Sequence, residues 1–409
     1  MAPYVPMLAA LVALLVGLAA GKAWERYKLH EGTWVDRRRL RESPHYILGL
    51  NFLVAGQVDL AIEELSAAAR IDPGSLEIPL ILGNLYREKG QVGRAIQEHQ
   101  GLLQRPKLRK LEHANVLLCL GLDFRRGGFI DRAVETFSEV LRFDPTNEYA
   151  LVNLEKLYAE QHQWQEAYDA RQRIATLADG RPNTGNQAIL AFLEHALGRQ
   201  AQDAGDRTAA ARRFQAALDL YPAMVPALLN LGDVRLDEGT PAAAAEVWER
   251  LVQVAPDRAY LAFARLGAVY GVLGTPEKFP ALCRRLIAAN PLNWRARLSL
   301  ARHLAERGQA AEGLELLFDA VAVNPHALVI HQAIWSLLSQ LDLPRAVVTR
   351  YSELTRDAIF YLDPHVCVRC RYRSTELLWQ CPHCHEWNTF VEERLSPAKD
   401  EDLGEPTTH

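Results

Sequence analysis

Three features of the sequence predict an all-α repeat solenoid, preceded by one transmembrane helix and closed by a small four-cysteine module. The first twenty-one residues carry no charged side chain. The middle of the chain returns to one order of small, large and proline residues with a period near thirty-four. Four of the six cysteines fall within the eighteen residues from Cys367 to Cys384. At 409 residues and 49% hydrophobic, the chain is too long for one compact core and too apolar to stay disordered, which agrees with an extended array. A net charge of -4 supplies none of the basic excess that makes nucleic-acid binding strong and salt-sensitive. No nucleic-acid partner is expected.

The N-terminal run MAPYVPMLAALVALLVGLAAGKA reads as an anchor. About twenty-one helical residues at roughly 1.5 Å each span a hydrocarbon layer of about 30 Å. A cleaved signal peptide is the competing reading, because Ala19, Ala20 and Gly21 are small, but signal peptides carry positive charge before the apolar run. Here the charge follows, in Lys22, Arg26, Lys28, Arg37, Arg38, Arg39 and Arg41, and the positive-inside bias places that flank in the cytoplasm. Residues 1–23 are assigned to the transmembrane anchor and 24–42 to a basic juxtamembrane linker.

From Tyr46 the pattern begins. With Gly49 as origin, Ala61 follows after twelve residues, Leu65 after sixteen, Ala68 after nineteen and Pro73 after twenty-four. The same offsets recur from Gly121 (Ala133, Phe137, Val140, Pro145), Gly198 (Ala210, Phe214, Ala217, Pro222) and Gly232 (Ala244, Trp248, Leu251, Pro256). This is the tetratricopeptide order, a pair of antiparallel helices per unit. The small positions mark close helix crossings, with Phe137, Phe214 and Trp248 expected to fill the groove against the next pair. Proline stops each second helix, because it lacks an amide hydrogen and disfavours helical conformation in the residue before it. Two copies are worn: Pro106 comes one residue early after Gly83, and Phe279 stands where Gly267 calls for a small residue. GRPNTGN, Gly180 to Asn186, has the turn residues of an insertion. The array is assigned to 43–360, about nine helix pairs, the last acting as a cap.

Cys119, Cys283 and His99 lie on helical apolar runs of this array and read as packed core groups. No nucleophile elbow, zincin motif or dinucleotide fingerprint is present, so no enzyme activity is expected.

Cys367-x2-Cys370 and Cys381-x2-Cys384 are separated by ten residues, which places two knuckles on either side of a short hairpin and brings four thiolates to one point. Such a set holds one tetrahedral metal ion, iron or zinc. Two disulfides would need an oxidising compartment, against the cytoplasmic orientation of the basic flank. A module this small lacks the core to stand without metal. Tyr372, Leu377, Leu378, Trp379 and Trp387 are more apolar groups than it buries alone, so docking onto the last helices is expected. A zinc-ribbon nucleic-acid binder is disfavoured, because Asp363 to Arg394 holds four arginines against five acids. The module is assigned to 361–394 and a disordered acidic tail to 395–409.

YILGLNFL, LGNLYREKGQVGRAIQEHQ, LGLDFRRGGFIDRA and WQCPHCHEW, together with the order of anchor, repeats and cysteines, resemble the lipopolysaccharide assembly protein B family of Gram-negative bacteria over nearly the whole chain. The resemblance implies a rubredoxin-type module with Cys367, Cys370, Cys381 and Cys384 as its metal ligands. It implies a single-pass inner-membrane adaptor facing the cytoplasm, which promotes destruction of the lipid A pathway deacetylase by the membrane protease FtsH. Partners are then FtsH, the deacetylase and other inner-membrane lipopolysaccharide assembly proteins, with a homo-oligomer left open. Arg371 departs from the usual glycine after a knuckle. The alternative function is a rubredoxin-like electron-transfer protein that uses its repeats as a docking platform.

Overall fold

The computed structural model describes residues 43–106, 108–177, 184–338, 341, 345–356 and 365–393. Among them no helix is long and apolar enough to cross a membrane. The predicted anchor at 1–23, the linker at 24–42 and the tail at 395–409 lie outside these residues.

Eighteen α-helices are present among the described residues. They follow as α1 (Pro44–Val54), α2 (Val58–Ile71), α3 (Glu77–Glu88), α4 (Val92–Leu103), α5 (Lys110–Arg126), α6 (Ile130–Phe143), α7 (Glu148–Glu160), α8 (Trp164–Leu177) and α9 (Thr184–Asp203). The series continues with α10 (Arg207–Leu220), α11 (Val225–Asp237), α12 (Pro241–Val254), a 3-10 helix (Pro256–Ala262), α13 (Phe263–Val272) and α14 (Lys278–Ala289). It ends with α15 (Trp294–Glu306), α16 (Ala310–Val323), α17 (Leu328–Leu338) and α18 (Arg345–Leu354), before a three-stranded sheet. The chain divides into two compact units, Met1–Leu157 and Tyr158–His409. Each is built of tetratricopeptide-type helix hairpins.

Proline sets the length of the second helices. α2, α6, α10, α12, α14 and α16 all stop two residues before Pro73, Pro145, Pro222, Pro256, Pro291 and Pro325, as the steric clash with the preceding residue requires. Side-chain caps open others: Asp206 accepts from the Ala209 amide at 2.9 Å before α10, and Asn293 from the Ala296 amide at 3.0 Å before α15. Thr184, Gly185 and Asn186, read from sequence as part of an insertion, instead form the first turn of α9, where Arg171 donates to Asn186 Oδ1 at 3.1 Å. Turn-prone composition yields there to a tertiary hydrogen bond.

Where a repeat has the glycine and the large residue sixteen positions on, the large residue packs on the glycine of its own hairpin, rather than only against the following pair. A Cβ on Gly121 would stand 2.7 Å from the Phe137 ring, and one on Gly232 2.2 Å from Trp248 Nε1. Phe137, Phe214 and Trp248 are fully buried, and Trp248 Nε1 donates to the Leu229 carbonyl at 3.2 Å. In the worn copy the approach is looser: Phe279, at the small position twelve residues on, lies at ordinary contact distance, 3.8 Å, from the same point on Gly267. Within the second unit, one core runs from Ala191 on α9 to Leu304 on α15, joined across α11 and α13 by Arg265, which donates to both Asp233 oxygens at 2.6 and 2.9 Å. A second core forms where α15 to α17 meet.

These contacts separate two helical glycines. Gly232→Ala drives a methyl group into the buried Trp248 ring and is expected to cost about 1–3 kcal/mol. Gly271→Ala, on α13 with nothing within 4 Å of the new Cβ, is expected to stabilise by about 1 kcal/mol through helix propensity. Urea titration of the two variants checks the opposite signs; equal shifts would contradict the packing described.

Candidate metal centre

The four cysteines are positioned by a three-stranded antiparallel sheet of order β2-β1-β3, comprising β1 (His365–Cys367), β2 (Arg373–Ser374) and β3 (Phe390–Glu392). Each knuckle occupies its own tight turn, so they do not flank a single hairpin as the spacing suggests. In the first, the Arg371 amide donates to the Cys367 carbonyl at 2.9 Å and the Cys367 amide to the Tyr372 carbonyl at 2.9 Å. The second repeats both bonds, from His385 to Cys381 and from Cys381 to Glu386, each at 2.9 Å. The symmetry extends to the backbone: Arg371 and His385, both directly after the second cysteine of a pair, have φ of 62° and 57°. The departure at Arg371 was visible in the sequence, and its counterpart at His385 was equally legible once the two knuckles are aligned.

The turns bring the four sulfur atoms within 4.8 Å of one another. Cys367 Sγ lies 3.7 Å from Cys384 Sγ, and Cys370 Sγ 3.5 Å from Cys381 Sγ. Four ligands at about 2.3 Å around a tetrahedral ion stand about 3.8 Å apart, so the sulfurs fit a metal of that size. Cys367 and Cys381 are fully buried beside Phe390. Burial pushes the Cys367 thiol up, but the Thr389 hydroxyl 3.2 Å away and the backbone amides of Cys370 and Arg369 outweigh it and hold the thiol at about 6. Burial and the three neighbouring sulfurs push Cys384 up to about 12. Bringing four sulfurs together without a cation therefore opposes collecting four negative charges, which a divalent ion relieves.

Apolar side chains of the module do dock on the helices, though not on the last of them. Trp387 stacks on Phe192 of α9, ring centroids 5.2 Å apart at 18°, with Trp164 of α8 at 6.4 Å. Arg258, on the 3-10 helix, lies over the Trp379 ring at 5.3 Å and donates to Asn388 Oδ1 at 3.2 Å. Arg295 of α15 pairs with Glu392 while lying 4.0 Å from the Tyr260 ring and 4.5 Å from that of Trp294. His385 Nε2 stands 3.7 Å from Glu160. The expectation of docking onto the last helices is corrected: α18 buries none of its residues, whereas these aromatic rings and guanidinium groups lie earlier in the chain. Partner choice followed surface chemistry, not proximity in sequence.

The other sequence candidates are packed. Cys283 is fully buried, which pushes its thiol up to about 12, and burial raises Cys119 as well. His99 is fully buried at the large position of its repeat. Missing from the sequence reading was the carboxylate His99 meets, Asp123.

A helix-hairpin array with a docked four-cysteine ribbon defines a tetratricopeptide-repeat fold with a C-terminal metal-binding ribbon. Residues 365–392 match the family described as rubredoxin metal binding domain, and 195–265 and 280–326 match the tetratricopeptide repeat. The chain is similar to lipopolysaccharide assembly protein B: it is 26% identical over 386 residues to the Escherichia coli K12 protein of that name, covering 93% of this chain and 97% of that one. The Haemophilus influenzae protein of the same name is 24% identical over 393 residues, with the same coverage. Among solved structures, a tetratricopeptide repeat protein from Parabacteroides merdae aligns with 74% of this chain and 99% of its own at 14% identity and a TM-score of 0.35.

The left-handed backbone at Arg371 costs about 1–2 kcal/mol that glycine avoids, while its side chain is 67% exposed and reaches Glu393 only at 3.8 Å. Arg371→Gly is expected to stabilise the ribbon by about 1 kcal/mol, after the greater entropy of the unfolded glycine chain is subtracted. Stronger hydrogen-exchange protection of the Cys367 amide would report it; weaker protection would show that the arginine side chain matters more than the turn.

Proposed function

We propose that this protein is a membrane-anchored adaptor that regulates lipopolysaccharide synthesis from the cytoplasmic face of the inner membrane. The observation that carries the reading is the combination of homology along 93% of the chain with a ribbon seated on the repeats. Cys367, Cys370, Cys381 and Cys384 would be the ligands of one iron or zinc ion. With four thiolates around it, the ion keeps no open position for substrate, and its work is structural. Structural zinc contributes about 10–16 kcal/mol in small peptide domains at neutral pH, enough to fold a ribbon that then presents Trp379 and Trp387 to the array. Neither a catalytic constellation nor an enzymatic role enters this reading. The domain limits are those of the sequence: anchor 1–23, linker 24–42, repeats 43–360, ribbon 361–394, tail 395–409.

Protein partners supply the function. An adaptor held on the same membrane as the protease FtsH raises the effective concentration of any cytosolic client it holds, to the millimolar range for a short tether. The client in this reading is the deacetylase of the lipid A pathway, with other inner-membrane lipopolysaccharide assembly proteins as further contacts. The anchor then contributes without touching the client.

Two measurements test the proposal. In purified protein, Cys381→Ser is expected to lose metal, read by elemental analysis; full stoichiometry would bring His383 or His385 forward as a ligand. In cells, the deacetylase half-life after translation arrest should lengthen severalfold when residues 1–22 are removed or when Cys370 is replaced by Ser. A half-life indifferent to deletion of the whole gene would sink the adaptor reading.

A further inference from the structure

Within the Met1–Leu157 unit, α3 and α5 form an open cleft of about 560 Å³ lined by Arg87, Glu88, Leu122, Arg125 and Arg126. Two of its three arginines are held by the protein. Asp123 is fully buried, and Arg87 donates to one of its oxygens at 2.8 Å while His99 Nδ1 lies 2.5 Å from the other. Arg87 also donates to Asn84 Oδ1 at 2.8 Å and to the Cys119 carbonyl at 3.4 Å. A buried carboxylate is tolerable only with such compensation. Arg125 donates to Asn153 Oδ1 at 2.8 Å, an amide itself only 9% exposed. Arg126, next in the chain, is exposed. An arginine already fixed loses little freedom when a ligand arrives, and its planar fork matches a carboxylate.

We propose that this cleft is a docking site for an acidic peptide segment of a partner protein, with Arg125 and Arg126 gripping its carboxylates beside the anchored Arg87. Arg125 and Arg126 stand on the lining with one acid, Glu88, and with Arg87, whose charge Asp123 already balances. Leu122 adds apolar surface, which suits a segment in which acidic and aliphatic residues alternate. The volume is far larger than a single inorganic anion occupies. The proposal deepens the adaptor reading by naming the chemistry of a client contact, and it rests on that reading for the partner being a protein.

The test uses the full chain in detergent micelles and a fluorescein-labelled peptide of alternating Asp, Leu and Glu, with a Lys-for-acid peptide as control. Arg87 is left in place, since removing it strands the Asp123 charge and invites unfolding. Anisotropy titration should show binding that weakens as salt rises. The Arg125→Gln, Arg126→Gln double variant is expected to bind about tenfold more weakly, and Glu88→Gln about two- to threefold more tightly, with circular dichroism unchanged in both. Equal affinity of the double variant and the parent would overturn the proposal. So would equal binding of the Lys control, full displacement by inorganic phosphate at the peptide's own concentration, or retention on phosphatidylglycerol vesicles without peptide binding. Such a failure leaves the deacetylase half-life experiment untouched, so the site and the adaptor reading fall separately.

Discussion

In four helix hairpins a large apolar side chain seats on a glycine of the opposite helix, and this contact is the constraint on which the rest of the array depends. Leu65 sits on Gly49, Phe137 on Gly121, Phe214 on Gly198 and Trp248 on Gly232, always sixteen residues apart. The absence of a Cβ lets a whole ring enter the crossing, so the interior reaches native density without pushing the helices apart. The turn between the helices then has a fixed length. Gly56, Gly90, Gly128, Gly205 and Gly239 lie seven residues after the hairpin glycine, each with a left-handed φ between 70° and 81°. His162 takes that conformation with a side chain, at φ 59°, in the repeat where Glu155 stands for the glycine.

One repeat solves the same crossing with a polar ring. His99 covers Gly83 as the phenylalanines cover theirs, with its ring atoms 2.4 Å from where a Cβ would be. An imidazole brings a polar atom into a place with no water, and Asp123 of the following repeat answers it at 2.5 Å. The carboxylate then needs a cation, and Arg87 supplies it. A packing position has thus organised a charged network, and the guanidinium it holds reaches a cleft surface. Removing any one member would leave a buried polar group unsatisfied, which costs more than a lost surface pair.

The ribbon depends on its surroundings differently. Its own buried interior is little more than Val366, Phe390 and the sulfurs. Docking extends that core through Trp379 and Trp387, both of which pack against buried residues of the second unit. Arg258 and Arg295 flank the contact, each combining a ring with a polar partner, so orientation as well as attachment is specified. A ribbon that fails to gather its sulfurs would lose the frame that aims these tryptophans, which ties the chemistry of four cysteines to the surface the repeats present.

The sequence by itself determined the helix hairpins, their period and the grouping of the cysteines. Those are local or periodic features: a glycine, a ring sixteen residues on, a proline that stops the second helix, and two Cys-x2-Cys pairs whose spacing forces a turn. It also marked Arg371 as a strained position, because backbone strain is a property of one residue. The tertiary structure decided the rest. That Asn186 meets Arg171, that the ribbon chooses Phe192 and Arg295 over the last helices, and that Asp123 lies between His99 and Arg87 all join residues apart in the chain. Apart from the glycine and ring spacing, which repeats, no periodicity encodes such pairings. They arise because burial is cooperative: once the hairpins stack, each polar or aromatic group left inside must find its complement among whatever neighbours the stacking provides.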